Sequence, residues 1–102
     1  MKMIKVKNME NRVGKPVVNQ FIITEISDYL KRTIFQSYNS IVATKVDDGD
    51  TYQIYLDKDT WDYSSTTGRY RNVFLGEDIH ETRKKIKSGE YKLVALNNDL
   101  MQ

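Results

Sequence analysis

Between residues 17 and 56, apolar and β-branched side chains gather in short runs bounded by turn formers. That is the pattern of strands rather than of a helical bundle. Residues 17–24 (VVNQFIIT), 33–38 (TIFQSY), 41–46 (IVATKV) and 51–56 (TYQIYL) each predict a strand. Asn39-Ser40 marks one turn, and Asp47-Asp48-Gly49-Asp50 marks another. An Asp-Gly pair between two β-rich runs is a strong short-range hairpin signal. Residues 33–56 therefore read as a three-stranded antiparallel meander, with Tyr52, Ile54 and Leu56 on one face by the period-two rule. Residues 26–30 (ISDYL) fit one turn of helix or a bend.

The period changes after residue 76. Glu77, Asp78 and Glu81 come early and Lys84, Lys85 and Lys87 late, with Gly89 as a stop. This charge order suits the dipole of a helix over residues 77–87. Its apolar stripe is thin, Ile79 and Ile86 with Thr82 or Arg83 between, so it predicts a helix resting on a sheet along a narrow seam. Residues 91–96 (YKLVAL) predict a closing strand. The connection over residues 57–76 mixes hydroxyls, charges and rings, which is long enough to be functional or to hold structure of its own, such as a short helix near 69–74. Residues 1–16 read as a weakly ordered lead-in ending in Gly-Lys-Pro, with residues 1–7 as a short edge strand or a mobile arm. Residues 97–102 read as a frayed tail. The expectation is a single α+β domain: a small antiparallel sheet of four to five strands with one helix, in the C-terminal half, packed on it.

Composition narrows the chemistry. The 102 residues are 39% hydrophobic and 29% charged, with no cysteine and one histidine. Disulfide scaffolds, zinc fingers, cysteine nucleophiles and two-histidine metal sites are excluded. No apolar run reaches the length of a membrane span, and the N-terminal residues lack the apolar centre of a signal peptide, which points to a cytoplasmic protein. The charge is +2 overall but alternates along the chain. Residues 1–25 hold five basic and two acidic side chains, residues 47–62 six aspartates and one lysine, and residues 63–92 seven basic and four acidic. Faces of opposite sign would orient docking to a charged partner.

Five groups of residues are candidates for chemistry. Asp47, Asp48 and Asp50, with Asp57, Asp59 and Asp62, resemble part of a calcium loop, but Lys58 stands where the closing glutamate belongs. Solvated turn carboxylates account for them. His80 has no nucleophile beside it and reads as a surface side chain. Ser64-Ser65-Thr66-Thr67-Gly68 lacks the phosphate-loop spacing and fits helix capping. Trp61, Tyr63, Arg69, Tyr70 and Arg71 combine rings and guanidiniums, the chemistry of base stacking and of protein hot spots. Trp61 and Tyr70 also suit the edge of a small core, whereas Arg69 and Arg71, flanking Tyr70 on an extended segment, are predicted to be exposed. Arg83, Lys84, Lys85 and Lys87 form a basic patch that fits phosphate contacts or a solvated helix end. The predicted partner-binding set is Tyr63, Arg69, Tyr70, Arg71, Arg83, Lys84 and Lys87. No catalytic residue, metal or cofactor is expected.

Residues 35–42 (FQSYNSIV) and 54–76 (IYLDKDTWDYSSTTGRYRNVFLG), followed by Ser88-Gly89-Glu90-Tyr91, resemble a group of small proteins from bacteriophages of Firmicutes. Their pattern is FxSYxSxxA, then YLDxxxWDYSxTTxxYRxxFLG, a basic helix and KSGEY. The resemblance spans roughly residues 19–97. Some phage proteins of this size and appearance are anti-CRISPR inhibitors of the type II effector nuclease. The resemblance therefore implies a non-enzymatic, phage-encoded protein that binds a host defence nuclease in the host cytoplasm, with the WDYSSTTGRYRN segment as its functional surface. A small nucleic-acid-binding phage regulator is the second reading, supported by the basic helix and the aromatic-basic segment.

Overall fold

The computed structural model describes residues 2–97. The meander predicted for residues 33–56 is present as β3 (Lys31–Ser37), β4 (Ser40–Asp47) and β5 (Tyr52–Asp57). Adjacent strands pair antiparallel, with Phe35 opposite Ala43 and Ala43 opposite Leu56. The Asp-Gly turn closes the second hairpin as expected. The Asp48 carboxylate accepts the backbone N–H groups of Asp50 and Thr51 and the Thr51 hydroxyl. Those bonds, led by the Thr51 N–H, hold its carboxyl below the ordinary range. The first hairpin turns one residue earlier than expected, at Tyr38-Asn39, with Tyr38 at φ 56°.

The N-terminal segment corrects the reading of a weakly ordered lead-in. Met3–Glu10 is a full strand, β1, paired antiparallel with β2 (Pro16–Ile26) from Met3 opposite Ile26 to Glu10 opposite Pro16. The eleven-residue β2 is longer than the run of apolar side chains suggested, and its length gives β1 a template. Because Lys alternates with Ile and Val in β1, the strand takes its order from the ladder rather than from burial. Only Met9 in it is buried.

The sheet has six strands in chain order, not four or five. The last, β6 (Tyr91–Val94), lies parallel to β5, so the sheet is not wholly antiparallel. A parallel neighbour needs a crossover of a dozen residues or more. Two helices supply it, where one was expected: α1 (Ser65–Leu75) and α2 (Ile79–Ser88). Ser64 caps α1 by accepting the Thr67 N–H, as the hydroxyl-rich run suggested, and Gly76 ends it at φ 71°. Asp78 and Gly89 cap α2 in the same way. The last turn of α1 carries no basic residue of its own. Lys45 of β4 fills that role, donating to the Phe74 carbonyl at 2.7 Å and lying 4.3 Å from the Phe74 ring centre. Burial lowers its pKa.

Both helices sit on one face of the sheet. The core between them is Met9, Phe35, Val42, Ala43, Leu56, Phe74 and Tyr91, with the Phe35 and Phe74 rings 5.7 Å apart. A bulge in β4 leaves Val42 without a cross-strand partner between Ala43 and Ile41, so that Val42 and Ala43 are both buried. Asn97 is held against the sheet, its amide bonding both the N–H and the carbonyl of Ile41. The rest of the segment read as a frayed tail, residues 98–102, lies outside the described residues.

Glu77 joins the corner between the helices to β6. Its carboxylate accepts Thr82 Oγ1 at 2.6 Å, Lys85 Nζ at 2.8 Å and Tyr91 Oη at 2.9 Å. Burial alone would raise the Glu77 pKa, but bonds from Lys85, Thr82 and Tyr91 outweigh it and hold it below 4.5. Burial, with the bond to Glu77, pushes Tyr91 up to about 12. A depressed carboxyl contributes stability above its unfolded pKa and loses it as pH falls through the folded one. The melting temperature is therefore expected to hold from about pH 7 to about pH 5 and to fall below about pH 4, the ordinary carboxylate range. Glu77→Gln should melt lower at pH 7 and show a shallower acid slope. Thermal melts of both proteins across pH check it, and parallel acid slopes would be contrary to this account.

Candidate partner-binding surface

The loop from β5 to α1 begins at a buried carboxylate. Asp57, 2% exposed, accepts the N–H groups of Asp59 and Thr60 on one oxygen and of Leu96 on the other. Burial would raise its pKa. The Leu96 and Asp59 N–H groups and their neighbours outweigh burial and lower it. Asp57 is thus a structural hub rather than one of a set of solvated turn carboxylates. Among the described residues no three His, Cys, Asp or Glu side chains are grouped to hold a metal ion.

From this anchor the chain turns Trp61 toward the core, where it is half-buried. Here the structure corrects the expectation for Arg71, which is 1% exposed rather than a surface contact. Its guanidinium donates to the Trp61 carbonyl at 2.8 Å, to Asp62 Oδ1 at 3.1 Å and to Asn72 Oδ1 at 2.9 Å, and it lies over the Trp61 ring. The reason is the local period. Read as extended, Arg69 and Arg71 share a side. In a helix, residues two apart point to different faces. Arg69 turns to solvent and Arg71 turns inward. Gly68, one turn earlier, packs against it, and a Cβ there would lie 3.5 Å from Arg71 Nη2, an ordinary contact.

The other predicted contacts remain accessible in varying degree. Tyr63 is 47% exposed, Arg69 is exposed, and Tyr70 is half-buried against the core. On α2, Arg83, Lys84 and Lys87 are exposed, whereas Lys85 turns to Glu77. His80 is exposed, as expected. Asp62 joins the two helices, binding Arg71 with one oxygen and standing 3.7 Å from Arg83 with the other. Among the described residues Arg69, Lys84 and Lys87 make no ion pair.

One contributor escaped the sequence. The tip of the β1–β2 hairpin and α1 enclose a cleft of about 590 Å³ lined by Glu10, Asn11, Arg12, Arg69, Tyr70 and Val73. Arg12 stands far from Arg69 in the chain, and only the pairing of β1 with β2 brings them together.

These features define a two-layer α+β domain with an exposed basic and aromatic helical layer. The chain belongs to a family of unknown function, DUF8033, which matches residues 4–90. No curated protein and no solved structure matches it. No helix among the described residues is long and apolar enough to cross a membrane.

Proposed function

We propose that this chain is a non-enzymatic binding protein that docks through its helical layer. In the specific form carried by the sequence resemblance, it is phage-encoded and inhibits a type II CRISPR effector nuclease in the host cytoplasm. The observation that supports docking there is the exposure of Tyr63, Arg69, Arg83, Lys84 and Lys87 on the two helices and the loop that leads into them, with Tyr70 half-buried beside Arg69. Exposed cations beside rings supply both steering and hot-spot chemistry. The corrected contact set omits Arg71, because a buried guanidinium touches no partner. Arg12 joins it through the cleft. The basic run of α2 supports the second reading, a small nucleic-acid-binding regulator.

Cleavage of a DNA target by a purified type II nuclease and its guide should fall in proportion to added protein, with an endpoint at a fixed molar ratio. The triple variant Arg69→Ala, Lys84→Ala and Lys87→Ala should weaken inhibition at least about tenfold, equal to about 1.4 kcal/mol, and leave melting nearly unchanged. Undiminished cleavage at excess protein contradicts the specific reading. Direct binding to a DNA duplex that weakens steeply with salt would favour the regulator instead.

A further inference from the structure

The strand order gives β1 a partner on one side only. All of its residues but Met9 are exposed. Its backbone groups that face away from β2 form an open ladder edge. The two faces of this strand differ in chemistry. Lys7 stands opposite Ile22, and Ile22 opposite Phe35 of the core, so Lys7 and Lys5 lie on the helical face of the sheet. Ile4 and Val6, 58% and 62% exposed, lie on the other. Beside the strand, a cleft of about 650 Å³ has Lys5, Lys7, Thr24 and Lys31 in its lining and, among the described residues, no carboxylate. None of those three lysines makes an ion pair among the described residues. Glu25, opposite Ile4, belongs to the other face and is held by Lys2 at 3.0 Å and Arg32 at 3.3 Å.

We propose that β1 is a docking edge for an extended acidic peptide, which adds to the sheet as a further strand and alternates carboxylates with apolar side chains. Strand addition supplies backbone N–H and C=O groups to the open ladder. The side chains of an added strand alternate between faces as those of β1 do. Carboxylates two residues apart then meet Lys5 and Lys7 at the mouth of the cleft, and the apolar residues between them cover Ile4 and Val6. Opposite charges and apolar pairs across a ladder both favour that register. Lysines on an edge strand discourage indiscriminate pairing, and here they select the partner. A second copy pairing β1 with β1 would set lysine against lysine, which is destabilising. A nucleic acid could meet the lysines, but it offers no amide ladder and would leave Ile4 and Val6 bare. The site is the sheet edge, and it stands independently of the docking proposed for the helices.

Fluorescence anisotropy of the full chain with a labelled peptide of four Glu-Val repeats tests this. Saturable binding is expected, with a Kd of about 100 µM or below. Lys5→Glu combined with Lys7→Glu should raise that Kd at least tenfold, and both side chains are exposed enough that the variant folds. Lys58→Glu combined with Lys92→Glu makes the same change of charge on exposed side chains at the far side of the sheet and should leave the Kd unchanged. With peptide at about ten times its Kd, the β1 amides that point away from β2 should exchange about tenfold more slowly, an effect that charge attraction alone does not produce. Absence of saturable binding overturns the proposal. So does binding that survives the Lys5 and Lys7 substitutions, or binding without slowed exchange in β1. Displacement of the peptide by an equal concentration of an oligothymidylate also overturns it, since the edge would then be reading negative charge and not a strand.

Discussion

Arg71→Ala is expected to destabilise the protein by about 3 kcal/mol, whereas Arg69→Ala should shift stability by less than about 0.5 kcal/mol. The two arginines are two residues apart and chemically identical, so the comparison isolates position. Removing Arg71 takes three hydrogen bonds from Trp61, Asp62 and Asn72 and leaves a void beside the Trp61 ring. The Trp61 carbonyl then lacks its charged donor, and the loop that leads into α1 loses its tie to that helix. Of a total stability of about 5–15 kcal/mol, that loss is a large share. Denaturant melts of the two variants on the same day give the answer. Equal midpoints would mean that Arg71 is not inside.

Asp57→Asn should destabilise by about 3 kcal/mol although the side chain keeps its shape, because an amide presents only one acceptor oxygen to donors on both sides. Three backbone N–H groups converge on the two carboxylate oxygens. The asparagine NH₂ group must then face either the N–H of Leu96 or those of Asp59 and Thr60. The effect should be local as well as global. Amide exchange at Leu96 should accelerate relative to that at Ala43, which lies in the central ladder. A melting curve superposable on that of the wild type would contradict the hub.

The central strands were legible because their signals are local. Short β-rich runs bounded by turn formers, with the Asp-Gly pair, place β3, β4 and β5 without knowledge of the rest, and charge order places α2. The rest of the sheet depends on distant partners. β1 carries exposed lysines and takes its order from the ladder with β2, which no window of sequence displays. The direction of β6 follows from the crossover through α1 and α2, not from anything in residues 91–94. α1 itself was only partly visible, since its capping serine was read but its glycine and threonines obscure its extent. The candidate site suffered most from that ambiguity. Treating residues 69–71 as extended put Arg71 outside, and a helix puts it inside. Part of the segment that resembles the phage proteins turns out to be interior. Asp57, Thr67, Arg71 and Phe74 are buried, and Phe35 and Ser37 of the companion stretch are buried as well, with Ser37 bonded to Thr67 at 2.9 Å. The signature thus mixes scaffold with surface, and Asp62, Tyr63, Ser64 and Thr66 are among its exposed side chains, with Arg69 and Val73 exposed beside them.

That division between inward and outward residues is most directly tested by arginine labelling of the native protein. Phenylglyoxal, followed by peptide mass spectrometry, reads each guanidinium separately. Arg12, Arg69 and Arg83 should react readily, and Arg71 should remain unmodified until the protein unfolds. Modification of Arg71 in the folded protein at the rate of Arg69 would contradict the account.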